Sequence, residues 1–481
     1  MNIIYKLIYI VSAISIILLI TACREQSCDN LVNNNEGYLL QYPVNYNSFF
    51  GETLTITIPW NDNTPAHTFS ALPMIMPSVL NAIAERYMHE NPGVYIEVRT
   101  LANDPLGVHE RIELELMSGQ ADILLDMSYT PWRTNAAQNF FADWLPIMHS
   151  DPRFNENDYF TNVFNAIMIN DSMYAFPVSF NFTHISANLN VPGLYNIFAQ
   201  YNTVSLRDLQ TMHDLFSTNQ SLYILPLYGV IEVVRHNLSN FLDINTRFVN
   251  FNSPDFINLI SQTREFSTGI WNRPPYNLFP ITPERELHLS NTYLFNNSNG
   301  HNLFYLICDE QAELFKGSIP LTSENDELII QIFNGFVLNE NATAIQRALA
   351  WDFVQFFMKP ENRSGLQPVA QAVYKPLFLH QTQWLAQAMI DMMADGSFSI
   401  NMNQSLDSNQ DDVLDRVIEQ VIERLYKFGE MPMIEVIPRY RNISAVITNV
   451  LIDFHDGIIT AEQAATDIQN RVSLLIMELG I

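Results

Sequence analysis

Apolar and polar positions alternate with period two in "LTITIPW", residues 54–60, and the alternation predicts a strand. "PSVLNAIAERYMHENPG" then sets Val79, Ile83 and Tyr87 at helical spacing and closes on Asn-Pro-Gly, a helix stop. "VYIEVRT" is again strand-like. "VHERIELELMSGQ" places Val108, Ile112 and Leu116 on one face with Gly119 at its end, and the apolar run "ADILLDM" follows. Strand, helix, strand, helix, strand implies a parallel α/β sheet. Further on, Ser253 suits an N-cap with Pro254 as first helical residue, and Thr460 and Gln463 are spaced as a capping box. In "DSNQDDVLDRVIE" a calcium loop would need Gly where Asp412 stands and Glu where Ile418 stands. The stretch therefore reads as a helix entry, with Val413, Val417, Val421 and Leu425 as the buried stripe and Gly429 as its stop. No internal repeat or long low-complexity tract interrupts the middle of the chain, which fits two α/β lobes.

The N-terminus breaks this pattern. Lys6 precedes an apolar or small run from Leu7 to Ile20, and small residues lead to Cys23, the three parts of an export signal over residues 1–22. An uncleaved anchor is the competing reading, but Leu7 to Ala22 is 16 residues, just short of the roughly 17 to 25 that span a bilayer. Leu19-Ile20-Thr21-Ala22-Cys23 resembles the bacterial lipobox, in which the cysteine carries diacylglycerol and begins the mature chain. Residues 23–51, Asn-rich and aperiodic at first, are then a lipidated tether. Cys28 and Cys308 have no CxxC spacing, which argues against a disulfide framework.

Formal charge is −27, and loss of Lys6 with the signal makes the mature chain −28. Such a surface repels nucleic acid and anionic lipid headgroups. With 48% hydrophobic residues the chain can bury large cores, and no later run reaches membrane-spanning length.

Five segments, in this order, resemble extracellular solute-binding proteins of family 1, the group that includes maltose-binding protein. They are the opening strand, helix and second strand; "MSGQADILLDM"; "MYAFPVSFNFTHISANLN"; "FNGFVLNENATAIQRALAWDFVQFFMKPENRSG"; and "GEMPMIEV" with "HDGIITAEQAATDIQNRV". The resemblance implies an α/β, two-lobed periplasmic-binding-protein-like fold of type II. Each lobe is expected to be a mostly parallel sheet flanked by helices, with several crossing segments between lobes. Lobe I is expected at 52–178 and 333–375, and lobe II at 179–332 and 376–481. "NDNTPAHTFSALPMIM" is longer than the family pattern, and residues 291–328 do not align with it.

In open α/β sheets ligands lie beyond the carboxyl ends of strands. Trp60, Asn61 and Asp62 follow the first strand, and Asp126, Tyr129 and Trp132 stand at or beyond the end of "ADILLD". Aromatic faces stack on sugar rings while carboxylates and amides bond hydroxyls, so the mixture suits a carbohydrate. The plain alternative for Trp60 and Trp132 is a core or lobe-surface aromatic. Asp122 is better suited to fixing the strand entry than to touching ligand. On the first crossing, alternation sends Phe180 and His184 to one face and Asn181 to the other. Phe180 and Asn181 are candidates, and His184 reads as a buried histidine. Gly335, beside Asn334, permits close backbone approach or a turn. Trp271 and Tyr276 form an aromatic loop stiffened by two prolines, and the resemblance puts Tyr440, beside Arg439, near a ligand-stacking position.

No HExxH, GxSxG, GxGxxG or phosphate-loop pattern occurs. The expectation is therefore a binding protein and not an enzyme, with no cofactor and no metal. It is a monomer held at the cell membrane by lipid on Cys23, facing the exterior, or the periplasm where an outer membrane exists. Its partners are a small-molecule solute, with carbohydrate leading, and the permease subunits of an ABC transporter; nucleic acid is not one. A peptide or polyamine receptor, a surface adhesin or sensor subunit, and a glycan-acting enzyme are the alternatives.

Overall fold

The computed structural model describes residues 49–59, 77–101, 108–127, 139–216, 223–225, 231, 234, 237–243, 246–266, 294–298, 315–323, 325–363, 371–394, 419, 422–423, 426–435 and 441–478. β1 (Thr53–Pro59), α1 (Pro77–Glu90), β2 (Tyr95–Leu101), α2 (Val108–Met117) and β3 (Ile123–Met127) follow in the order the pattern predicts. β1 lies between β2 and β3 and runs parallel to both. α1 buries Leu80, Ile83, Ala84 and Tyr87, so the predicted face holds, with Val79 at its partly buried margin. β4 (Phe141–Ala142), α3 (Leu145–Ser150) and α4 (Thr161–Ile167) lead to β5 (Ala175–Phe182).

Beyond β5 the chain forms β6 (His184–Asn188), α5 (Leu194–Phe198), α6 (Leu206–Phe216), β7 (Leu242–Asp243), β8 (Phe248–Val249), α7 (Pro254–Phe266), β9 (Phe295–Ser298) and β10 (Phe315–Pro320). The long strand β11 (Leu328–Asn339) then returns to the first sheet. It is followed by α8 (Ala344–Met358), β12 (Gln371–Ala372), α9 (Lys375–Ala394), β13 (Met433–Glu435), α10 (Arg441–His455) and α11 (Ala461–Glu478). Two predicted helix starts are present as expected. The Ser253 hydroxyl accepts from Phe256 N–H at 3.2 Å ahead of Pro254. Thr460 and Gln463 bond reciprocally, at 2.9 and 3.2 Å.

Among the described residues the first sheet has eight strands, ordered β12-β5-β11-β3-β1-β2, with β4 and β13 also paired to β11. It is mixed where a mostly parallel sheet was expected. The reason is β11, which enters from the second lobe and so runs antiparallel to both β3 and β5. In the second lobe the described three-stranded sheet, β10-β6-β9, is antiparallel throughout.

Among the described residues, buried apolar side chains form two cores. The first runs from Phe49 to Phe182 and resumes at Leu328 and Ile330. The second holds Ile185 to Leu321, Ile329, and Ile443 to Ile476. Phe378, Phe428 and Met433 belong to the first core, whereas the resemblance assigns everything from 376 onward to the second lobe. The amphipathic pattern of α9 and of the segment reaching β13 does not say which core it faces. Among the described residues the chain thus passes between cores at Thr183, between Leu321 and Ile330, and between Met433 and Ile443. Backbone hydrogen bonds stitch these passes together. Leu321 N–H donates to Thr183 O at 2.8 Å, Thr183 N–H to Ile329 O at 3.3 Å, and Leu328 N–H to Pro432 O at 2.8 Å.

A polar brace stiffens the first lobe. Asp151, its side chain fully buried, accepts from Arg153 Nη2 at 2.8 Å and from Trp351 Nε1 at 3.0 Å. Arg153 also reaches Asp352 at 2.8 Å, and Tyr87 donates its hydroxyl to Asp352 at 2.7 Å. The brace ties α1, the turn after α3, and α8 into one block.

Candidate functional site

The parallel strands of the first lobe fix where a ligand edge lies. β3 ends at Met127, and β11 passes it in the opposite sense with Asn334 opposite Met127 and Gly335 opposite Asp126. β5 continues the edge, with Ser179 opposite Asn334 and Asn181 opposite Gln331. Two residues past Asn181 the chain makes its first crossing. The carboxyl ends of the strands therefore meet the floor of the junction between lobes, the expected ligand position for an open α/β sheet.

Neutral polar side chains line this edge. Asn334 donates its amide N–H to Ser179 Oγ at 3.2 Å. Asn181 is 3% exposed, and neither Oδ1 nor Nδ2 has a hydrogen-bond partner. Gln371, opposite Phe180 on β12 and so on the other face of the sheet, is 1% exposed and its amide is likewise unpartnered. Leaving such a group buried and unsatisfied costs about 1–3 kcal/mol. Such groups are met by ordered water or by a polar ligand. Gln331 and Gln371 carry no signal in the sequence, since a lone glutamine in an apolar strand looks like any other edge position.

Phe180 and Gly335 serve the fold instead of the solute. Phe180 is enclosed, its ring edge-on to Phe160 at 5.8 Å and to Phe182 at 5.3 Å. It is a core ring and offers no face to a solute. His184 continues that stack, 5.9 Å from Phe182, so the predicted alternation holds: Phe180, Phe182 and His184 follow one side and Asn181 the other. Gly335 sits close against its neighbour, and a Cβ there would lie 3.2 Å from the Phe176 carbonyl oxygen, closer than ordinary van der Waals contact. Its role is close approach of two strands at the β5–β11 register shift. For Asp126 only the backbone position is described. Trp60, Asp62, Tyr129, Trp132, Trp271, Tyr276, Tyr440 and Cys23 lie outside the described residues.

Asp122 has a structural role. Thr55 N–H donates to its Oδ2 at 2.7 Å, and Asp122 N–H donates to Thr55 O at 3.1 Å, locking β1 to the entry of β3. Burial pushes its carboxyl up from the ordinary value, and the Thr55 bond opposes this only in part. Among the described residues no group of three or more His, Cys, Asp or Glu side chains is placed to hold a metal ion. None of the described helices is long and apolar enough to cross a membrane.

No protein-family model matches the sequence, and no curated protein matches it. Solved structures do match the fold. The sugar-binding protein MalE of Xanthomonas citri superposes with a TM-score of 0.56 at 11% identity, covering 89% of this chain and 98% of that one. The cyclic α-maltosyl-1,6-maltose-binding protein of Arthrobacter globiformis gives 0.53 at 13% identity, covering 88% and 98%. A family 1 extracellular solute-binding protein of Bifidobacterium longum subsp. infantis gives 0.53 at 14%, covering 88% and 100%. The chain has the two-lobed fold of MalE-like, family 1 extracellular solute-binding proteins. That is the fold its five ordered segments implied.

Proposed function

We propose that this protein is a lipid-anchored receptor that captures a carbohydrate, an oligosaccharide in particular, between its lobes and delivers it unaltered to an ABC-type importer. One observation carries the reading: the buried, neutral, unpartnered amide of Asn181 stands where the strand ends of the first lobe meet the crossing segments. Amides both donate and accept, which matches sugar hydroxyls and gives no counter-charge to an ion. The fold's neighbours from Xanthomonas citri and Arthrobacter globiformis bind sugars, which supports the same class. The candidates Trp60, Asp62, Asp126, Tyr129, Trp132, Trp271, Tyr276 and Tyr440 would supply stacking faces and hydrogen bonds from both lobes.

Contacts from both lobes exist only in the shut form, so solute shifts the population toward closure. A micromolar Kd corresponds to about 8 kcal/mol, within reach of a few stacked rings and a ring of hydrogen bonds. The apolar run from Leu7 to Ile20 that leads to Cys23 supports export and lipidation there, and the permease is the partner such a receptor serves. The test is a thermal melt of the purified chain against oligosaccharides, peptides and polyamines, with product analysis of each mixture. A sugar at about 100 times its Kd adds about 2.7 kcal/mol of stability. A shift with peptides or polyamines alone would overturn the carbohydrate assignment, and conversion of the sugar would make the protein an enzyme.

A further inference from the structure

β5 and β11 set Gln331 directly opposite Asn181. Opposed residues of an antiparallel pair share a face, with Cβ atoms about 5 Å apart. The other face, carrying Phe180 and Ile332, packs into the first core. Gln331 is also placed by the crossing itself: Ile329 belongs to the second core, Ile330 to the first, and Gln331 comes next. Asn181 stands two residues before the other strand's crossing at Thr183. Two amides thus lie side by side at the floor of the junction, one buried without a partner and one half-buried.

Resting on the carbohydrate reading above, we infer that Gln331 is a specificity-determining residue that works with Asn181 as one amide pair for a vicinal diol of the solute. Each amide offers one carbonyl acceptor and two N–H donors. Two adjacent hydroxyls, each able to donate and accept, complement that set without any change of protonation. A single hydroxyl satisfies only half of it. An ammonium finds only the carbonyls, and a carboxylate only the N–H groups. The pair therefore selects for adjacent hydroxyls among neutral solutes and against charged ones.

The test is a double-mutant cycle on the full chain: wild type, Asn181→Ala, Gln331→Ala and the double variant, each titrated calorimetrically with maltotriose and with cellotriose. Melting temperatures without sugar are recorded for all four. The expected result is about a tenfold or greater loss of affinity in each single variant. The double variant should lose much less than the product of the two, because either truncation already breaks the pair. Wild-type affinity in Gln331→Ala, or losses that multiply fully, would overturn the inference and leave the carbohydrate reading standing. A large fall in the sugar-free melting temperature of Gln331→Ala would also overturn it, by making the residue structural. Failure of the wild type to bind either sugar, both of which present vicinal diols, would overturn the diol assignment, while the screen above tests the carbohydrate reading.

Discussion

Asp151→Ala tests whether the polar brace holds the first lobe as a unit. The carboxylate accepts Arg153 Nε and Nη2, the Arg153 backbone N–H and the Trp351 indole N–H. Trp351 is fully buried, so truncation leaves its N–H unsatisfied at about 1–3 kcal/mol. Arg153 keeps Asp352 and is 42% exposed, so its loss is closer to that of a surface pair, about 1 kcal/mol. The sum is about 2–4 kcal/mol. Three of the six tryptophans, 144, 351 and 384, belong to the first core or pack on it, so tryptophan fluorescence in a urea melt carries a strong signal from this lobe. With an m-value near the upper end for urea, about 3 kcal/mol/M, the midpoint falls by ~1 M. The acid dependence is a second check. Burial pushes the Asp151 carboxyl up, but the hydrogen bonds and charge of Arg153 together with the Trp351 N–H outweigh it and hold the group below its ordinary value. A depressed carboxylate contributes stability above its unfolded pKa, about 3.9, and loses it as pH falls toward the folded value. The gap between wild type and variant should be constant from pH 7 to about 5 and shrink below 4. A midpoint shift under ~0.2 M, or an equal gap at pH 7 and pH 3, would refute the reasoning.

Three further outcomes are expected. His455, buried against Thr263 at 3.3 Å, is pushed down to about 4 by burial and then by the charge of Arg264. The folded second lobe therefore resists a proton that the unfolded chain accepts below its ordinary 6.5. Its stability should fall by about 2–3 kcal/mol between pH 7 and 4, a fall that His455→Phe should abolish in pH-dependent melts. Gly429→Ala would bring a Cβ within 2.4 Å of the Phe160 ring; overpacking of this kind costs about 1–3 kcal/mol, read as a lower melting temperature with the fold retained. Cys23→Ser should move the protein from the membrane fraction into the medium on fractionation, and continued retention would favour an uncleaved anchor.

How much of this was readable from the sequence depends on the range of the interaction. Local signals carried well: the strand–helix alternation from Thr53 to Met127, the Ser253 and Thr460 caps, and Asp122 as a strand fastener all depend on neighbours within a few residues or on one pairing. Long-range topology did not. The sense of β11 is set by the lobe it comes from, so nothing in "LIIQIFNGFVLN" distinguishes parallel from antiparallel. Phe180 shows the same limit at the site. Its position on the crossing made it a candidate, yet its surroundings, Phe160 and Phe182, come partly from a segment some 20 residues away. Asn181 was readable as a crossing residue, but its unpartnered amide and its neighbour Gln331 emerge only from the β5–β11 register.

Solution scattering with and without sugar tests the central claim most directly. Across a set of neutral oligosaccharides, the account predicts that at least one reduces the radius of gyration of the chain, saturably and without being consumed. An unchanged radius with every sugar, or a sugar that is turned over, would contradict it.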